Sequence, residues 1–238
     1  MSVVVPTYNR ADFVVDAVTS LLTQGVLIPE VIVVDDGSTD DTARALAGFG
    51  ESIVYVRQDN AGPSAARNTG VRRAGGELVA FLDSDNLCGP QSLDRRSARL
   101  AGDPDIELVL GRTQVVELCV GVGGAPDYET RGEAVSIRSL NATMVRRAAL
   151  DRIGPFDERL RFGEDDDWFM RADELGVRIA LDPEVSQIRR LHDGNATRDH
   201  AARRQALLGL LKNRLDRGRG AGGHDVSRSA TDADPSPP

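Results

Sequence analysis

Val31-Ile32-Val33-Val34-Asp35-Asp36-Gly37-Ser38 is the stretch that decides the architecture. Four consecutive β-branched residues carry no polar alternation, so this strand is to be buried on both faces. Two acids and a Gly-Ser turn then end it abruptly. The same pattern recurs on either side. Ser2-Val3-Val4-Val5 is stopped by Pro6-Thr7-Tyr8-Asn9. Ile53–Val56 is a third apolar run, and Glu77–Leu82 a fourth, stopped by Asp83-Ser84-Asp85-Asn86.

Helical patterns lie between these runs. Asp12–Leu22 places Phe13, Val14, Ala17, Val18, Leu21 and Leu22 on one stripe, with Asn9 as the expected N-cap. Thr39–Leu46 and the segment opened by Gly62-Pro63-Ser64, through Arg73, read as further helices. Buried strands alternating with helices predict an α/β chain whose central sheet is mostly parallel and covered on both faces, with right-handed crossovers. In such sheets ligands bind beyond the carboxyl ends of the strands. Thr7-Tyr8-Asn9, Asp35-Asp36 and Asp83/Asp85 all fall there.

The second half predicts a smaller mixed region. Ile106–Leu110, Thr113–Leu118, Asn141–Val145, Val177–Leu181 and Val185–Ile188 read as strands, and Gly121–Gly132 as a Gly-rich loop. A short helix follows from Arg147, another runs from Asp165 to Leu175 and is closed by Gly176, and a basic helix spans Arg198–Leu215. The tail ending Pro235-Ser236-Pro237-Pro238 is too poor in apolar residues to order itself. The expected organisation is one domain over 1–215, with a nucleotide-binding half (1–100), an acceptor-binding half (101–215) and a disordered tail (216–238).

Composition narrows the function. The chain has 238 residues and a formal net charge of −8, which argues against a nucleic-acid partner. Aromatics are only 4%, so the core must be aliphatic. Cys88 and Cys119 are too few for a Cys-only zinc site or a disulfide framework, and a reducing, cytoplasmic setting is expected. No apolar run approaches the roughly 18 residues of a membrane span, and the start lacks the basic region of a signal peptide. Lys212 is the only lysine.

Asp83-Ser84-Asp85 carries the chemistry. A strand end holding two carboxylates two residues apart suits a hard divalent cation, Mg²⁺ or Mn²⁺, with positions left for phosphate oxygens. Such an ion neutralises charge on a leaving diphosphate. An isolated D-x-D is more often a solvated turn; its place after a buried strand, beside other acidic strand ends, favours the site.

Five segments, in this order, resemble family 2 glycosyltransferases: Ser2–Arg10, Val31–Asp40, Asn60–Gly70, Phe81–Asp85 and Phe162–Trp168. The resemblance runs from about residue 2 to 195. It implies the GT-A fold, a nucleoside-diphosphate-sugar donor, a divalent metal and inversion at the anomeric carbon. Pro6, Thr7 and Tyr8 would line the nucleoside pocket, and Asp35 or Asp36 would hold uracil or ribose. Arg67 would lie close to the nucleotide. Asp83 would face ribose and metal, and Asp85 would bind the metal directly. The resemblance implies a catalytic base in the Glu164-Asp165 pair, with Asp165 the choice. His192 is either a late metal or diphosphate ligand or a surface histidine.

The chemistry agrees with that choice, because direct displacement needs a carboxylate on the acceptor side, opposite the leaving diphosphate. Asp166 and Asp167 crowd the base and would raise its affinity for a proton. Trp168 reads equally as an acceptor-stacking ring or as core. Asn141-Ala142-Thr143 and Asn195-Ala196-Thr197 match glycosylation acceptors without a secretion signal to support them. Arg203, Arg204, Arg214, Arg217 and Arg219 form either a solvated basic face or a peripheral contact with an anionic membrane.

The absence of a Q-x-x-R-W segment and of spans favours transfer of one sugar, from a donor expected to be uridine-linked by family frequency, to a glycan, lipid-linked or small-molecule acceptor. Cell-envelope polysaccharide synthesis is the expected setting. An inactive nucleotide-sugar-binding subunit is the alternative. A haloacid-dehalogenase-type phosphatase would need a lysine near its aspartate, which Lys212 does not offer. A Rossmann dehydrogenase would need a G-x-G-x-x-G after the first strand.

Overall fold

The computed structural model describes residues 1–25, 29–120, 126–160 and 162–192. The strands are β1 Ser2–Thr7, β2 Glu30–Asp35, β3 Val54–Arg57, β4 Leu78–Phe81, β5 Leu87–Cys88, β6 Leu108–Val120, β7 Pro126–Val135, β8 Thr143–Arg146 and β9 Ile179–Leu191. The helices are α1 Ala11–Leu22, α2 Thr42–Leu46, α3 Pro63–Arg73, α4 Ser92–Gly102, α5 Arg147–Ile153 and α6 Glu164–Glu174.

Among the described residues the strands form one sheet in the order β3-β2-β1-β4-β8-β6-β9-β5, with β7 paired to β6. The first four strands are parallel, and their register sets Thr7 beside Asp35 and Asp35 beside Arg57. Their carboxyl ends therefore share one edge. β8 joins antiparallel to both β4 and β6. This switch carries Asn141, just before β8, to the end of β4.

The valine runs are explained by burial on two sides. Val3 and Val5 pack with Val14, Val18 and Leu21 of α1, whereas Val4 packs with Phe81, Phe156 and Trp168 on the opposite face. α3 lies against β1, and a methyl group at Gly70 would overlap the Val4 side chain. Gly70→Ala is expected to cost about 1–3 kcal/mol through overpacking, measured by denaturant unfolding. An unchanged midpoint would show that α3 can move off β1.

Several expectations are corrected. Asn9 adopts a left-handed φ of 51° and does not cap α1. Its side chain instead accepts from the Thr39 N–H at 2.8 Å. The Asp40 carboxylate serves both helix starts, accepting from Ala11 N–H at 3.1 Å and Thr42 N–H at 3.0 Å. α2 accordingly begins at Thr42 rather than Thr39. β6 and β9 each unite two predicted strands. Residues 126–132 are strand rather than loop. Leu140–Ala142 form a 3₁₀ turn before β8, and α4 was not anticipated. Trp168 is fully buried core, stacked on Phe156 at 5.9 Å. Asn141 is 6% exposed, so it is no accessible glycosylation acceptor. The basic helix at Arg198–Leu215, with its Arg203, Arg204 and Arg214, lies outside the described residues, as do Arg217, Arg219 and the second acceptor sequence. Among the described residues no helix is long and apolar enough to cross a membrane.

Candidate active site

The chain turns directly after β4, with Asn86 N–H donating to the Asp83 carbonyl at 3.0 Å. Asn141 clamps this turn from the β8 side. Its Nδ2 donates to Asp83 Oδ2 at 2.8 Å, and its Oδ1 accepts from the Asp83 main-chain N–H. The other Asp83 oxygen accepts from Arg67 Nη2 at 2.8 Å. Burial works to raise the Asp83 pKa, but Arg67 and Asn141 outweigh it and hold the carboxyl below the ordinary range.

Arg67 is the hub. It is 3% exposed on α3, and its Nη1 donates to Glu164 Oε1 at 3.0 Å and lies 3.8 Å from Asp165 Oδ1. α3 is set here by its N-terminus, where Pro63 follows Gly62 at φ 94°. Both preceding N–H groups, of Ala61 and Gly62, donate to the Asp36 carboxylate at 2.9 and 2.7 Å. Next along α3, the Asn68 side chain exchanges two hydrogen bonds with the Phe156 backbone, at 2.9 and 3.0 Å. The loop before α6 is thereby fixed to α3.

α6 begins at Gly163, whose φ of 79° suits glycine, and its first turn carries Glu164, Asp165, Asp166 and Asp167. The Asp165 pKa is pushed up to about 7, chiefly by burial and further by Glu164 and Asp83, against the pull of Arg67. Its Oδ1 is buried without a hydrogen-bond partner, while Oδ2 accepts a long bond from Leu140 N–H at 3.4 Å. Such a carboxyl is suited to take a proton from a hydroxyl near neutral pH. Asp167, by contrast, pairs with Arg171 at 2.9 Å.

Asp85 occupies the other end of the turn. Its Oδ2 lies 3.4 Å from His192 Nε2 and 3.7 Å from Arg10 Nε. Burial, then the nearby Asp83 charge, raise its pKa. A carboxylate oxygen and an imidazole nitrogen at this separation can share one divalent cation, which the nearby Asp83 charge favours and Arg10 opposes. Among the described residues no group of three His, Cys, Asp or Glu side chains gathers at a metal position. The remaining ligands would therefore have to be phosphate oxygens or water. Asp83, anticipated as a second ligand, turns its oxygens to Arg67 and Asn141, which leaves Asp85 and His192 as the close donor pair.

At the positions anticipated for the nucleoside, Pro6 and Thr7 are buried at the end of β1, Thr7 Oγ1 has no hydrogen-bond partner, and Tyr8 is 45% exposed. Asp35 accepts from Ser38 N–H at 2.7 Å, Tyr55 OH at 2.6 Å and Arg57 Nη1 at 3.0 Å. Those bonds overcome the opposing effect of burial and keep its pKa low. Asp36 is held by Gln58 as well as the α3 start. Both acids thus brace the loops after β2 and before α3.

Sequence reasoning did not anticipate Asn141, Arg10 or Arg190 here. Asn141 was masked by its glycosylation pattern. Arg10 gave only the weak signal of a cation following a strand-end turn. Arg190 gave a clearer one, an arginine inside a strand two residues before His192.

Comparison with known proteins gives an independent view. The model of glycosyl transferase family 2 matches residues 2–154. Glycosyltransferase AglE of Haloferax volcanii is 32% identical over 204 residues, covering 78% of this chain and 65% of that protein. Validoxylamine A glucosyltransferase of Streptomyces hygroscopicus subsp. limoneus is 35% identical over 173 residues, covering 69% and 35%. The chain spans between 13% and 65% of the length of the curated relatives it matches. Among solved structures, S. aureus TarS 1-349 in complex with UDP-GlcNAc has a TM-score of 0.69 at 25% identity, covering 83% of this chain and 60% of that one. Mannosyltransferase PcManGT from Pyrobaculum calidifontis, in complex with GDP-Man and Mn²⁺, has a TM-score of 0.69 at 22% identity, covering 90% and 64%, a likeness of fold.

Proposed function

Because the chain belongs to glycosyl transferase family 2, we propose that it moves one sugar from a nucleoside-diphosphate-sugar to a hydroxyl acceptor, with inversion at the anomeric carbon. The fold is of the GT-A type, α/β with a mostly parallel sheet. The observation that carries the proposal is the Arg67 hub. It ties Asp83, at the end of β4, to Glu164 and Asp165, at the start of α6, which supports reading a diphosphate end and an acceptor end side by side.

In this reading Asp165 takes the acceptor hydroxyl proton, and its raised pKa matches that work. Arg67 keeps Asp83 charged beside it and, paired with Glu164, orients the base. Thr7 and Tyr8 receive the nucleoside, beside loops that Asp35 and Asp36 brace. Mn²⁺ or Mg²⁺ on Asp85 and His192, with Asp83 beside them, would neutralise charge on the departing diphosphate. Residues 1–100 serve as the nucleotide half and the following segment as the acceptor half. We assign the donor as uridine-linked, since a UDP-GlcNAc complex of a relative at 25% identity supports that base, and the acceptor as a glycan, a lipid-linked saccharide or a small molecule.

Thermal unfolding with UDP, GDP and Mn²⁺ tests this. UDP with Mn²⁺ at 100-fold excess over Kd is expected to stabilise by about 2.7 kcal/mol, roughly 5–10 °C in Tm. EDTA or Asp85→Ala should each remove the shift. A shift of equal size in EDTA would refute the cation assignment, and a larger shift with GDP would refute the uridine assignment.

A further inference from the structure

Arg190, on β9, is fully buried and has no part in the chemistry above. Its guanidinium joins separate segments of the chain. Nε donates to the Asp85 main-chain carbonyl at 2.7 Å. Nη1 donates to Asp16 Oδ2 at 2.9 Å and to the Tyr128 hydroxyl at 3.3 Å, and Nη2 donates to the Phe13 carbonyl at 3.0 Å. The Arg190 main-chain N–H donates to Asn86 Oδ1 at 3.3 Å. Its Cζ sits 5.0 Å from the Phe13 ring centroid. The Phe13 ring is stacked on the His192 imidazole, with centroids 4.4 Å apart at 25°. His192 in turn lies 3.4 Å from Asp85 Oδ2. The contacts close a ring: Arg190, Asp85, His192, Phe13.

This arrangement is costly to build as mere filling. A buried guanidinium must satisfy its N–H groups, and an aliphatic side chain would fill the space without that demand. The Asp16 carboxylate is 58% exposed, so its ion pair is screened and weak. What the planar fork supplies is direction, two main-chain carbonyls held at fixed angles and a ring held flat. The two side chains it steadies, one through its backbone and one through Phe13, are the two that face each other at the candidate cation position.

We propose that Arg190 is a positioning residue: with Phe13 it fixes the Asp85–His192 pair at the separation a divalent cation needs, without itself touching cation or donor. The inference rests on the cation assignment made above. The test uses Arg190→Met, Arg190→Lys, Phe13→Leu and Asp16→Asn in the full chain, with two readouts. The first is the NMR shift of the His192 ring protons without metal or nucleotide, which the stacked Phe13 ring displaces. The second is calorimetric affinity for Mn²⁺ in saturating UDP.

Arg190→Met and Phe13→Leu should both move the His192 shifts toward those of an unstacked imidazole and weaken Mn²⁺ about tenfold. Lysine at 190 should not rescue, and Asp16→Asn should change the affinity less than about twofold. Unchanged Mn²⁺ affinity in a folded Arg190→Met would overturn the proposal. If that variant does not fold, unchanged Mn²⁺ affinity in Phe13→Leu would overturn it equally. Wild-type protein that binds UDP but no Mn²⁺ would instead defeat the cation assignment, and the His192 shifts would still decide whether Arg190 holds the pair.

Discussion

Asp165→Asn is expected to lower kcat for sugar transfer by about 10³-fold, the scale of losing a positioned general base, with donor KM changed only a few-fold. The same variant should be more stable than wild type at neutral and alkaline pH. The carboxyl is raised to about 7 by burial and by neighbouring carboxylates, so the fold carries a charge there that it disfavours. The sign follows from linkage. A raised pKa contributes stability that is intact below the ordinary carboxylate range, near pH 4, and lost as the pH climbs to about 7. Asparagine does not ionise, so its advantage should open above about pH 4 and be complete above about pH 7. Wild-type kcat should rise over the same upper limb as Asp165 loses its proton. A variant that is both inactive and less stable at pH 8 would assign Asp165 to structure instead.

Arg67→Met should damage fold and activity together. It removes the cation shared by Asp83, Glu164 and Asp165, of which Glu164 is 15% and Asp165 28% exposed in their side chains. Breaking a buried pair by deleting one partner costs about 3–5 kcal/mol. Asp83 is 34% exposed, which favours the lower end. A fall in Tm of roughly 10 °C is expected. Arg67→Lys should recover little, because one ammonium cannot reach carboxylates on both sides as the fork does. The pH dependence separates this loss from a packing defect: the Arg67→Met deficit should shrink in acid as the carboxylates protonate, whereas a packing defect would stay constant. Activity within tenfold of wild type in a folded Arg67→Met would show that the Arg67 hub does not organise the site.

The half of the fold that was legible from residues is the half buried on both faces. β1, β2 and β4 are continuous apolar runs, and their acid-bearing ends announce the shared edge. The later strands hide themselves. β9 contains Asp182-Pro183-Glu184, and β6 contains Gly111 at a register shift, so each reads as two pieces. α4 buries Leu93, Arg96, Ser97 and Leu100 on one face; with an arginine and a serine in its apolar slots, the stripe disappears from the sequence. Asp83, Asp85 and Asp165 could be named because a motif marks them. Asn141 and Arg190 could not, since their roles arise only when β8 crosses to β4 and β9 crosses to the turn after β4. The left-handed Asn9 shows the same limit: the sequence marked a polar residue before a helix, and the long-range contact with Thr39 decided its use.

Anomalous diffraction from crystals grown with UDP and Mn²⁺ tests the two-sided cleft most directly. A manganese peak is expected against the Asp85 carboxylate and the His192 imidazole, with the diphosphate between that ion and the Asp165 side of the cleft. A manganese peak distant from Asp85, or a nucleotide bound on a face that Asp165 does not share, would contradict it.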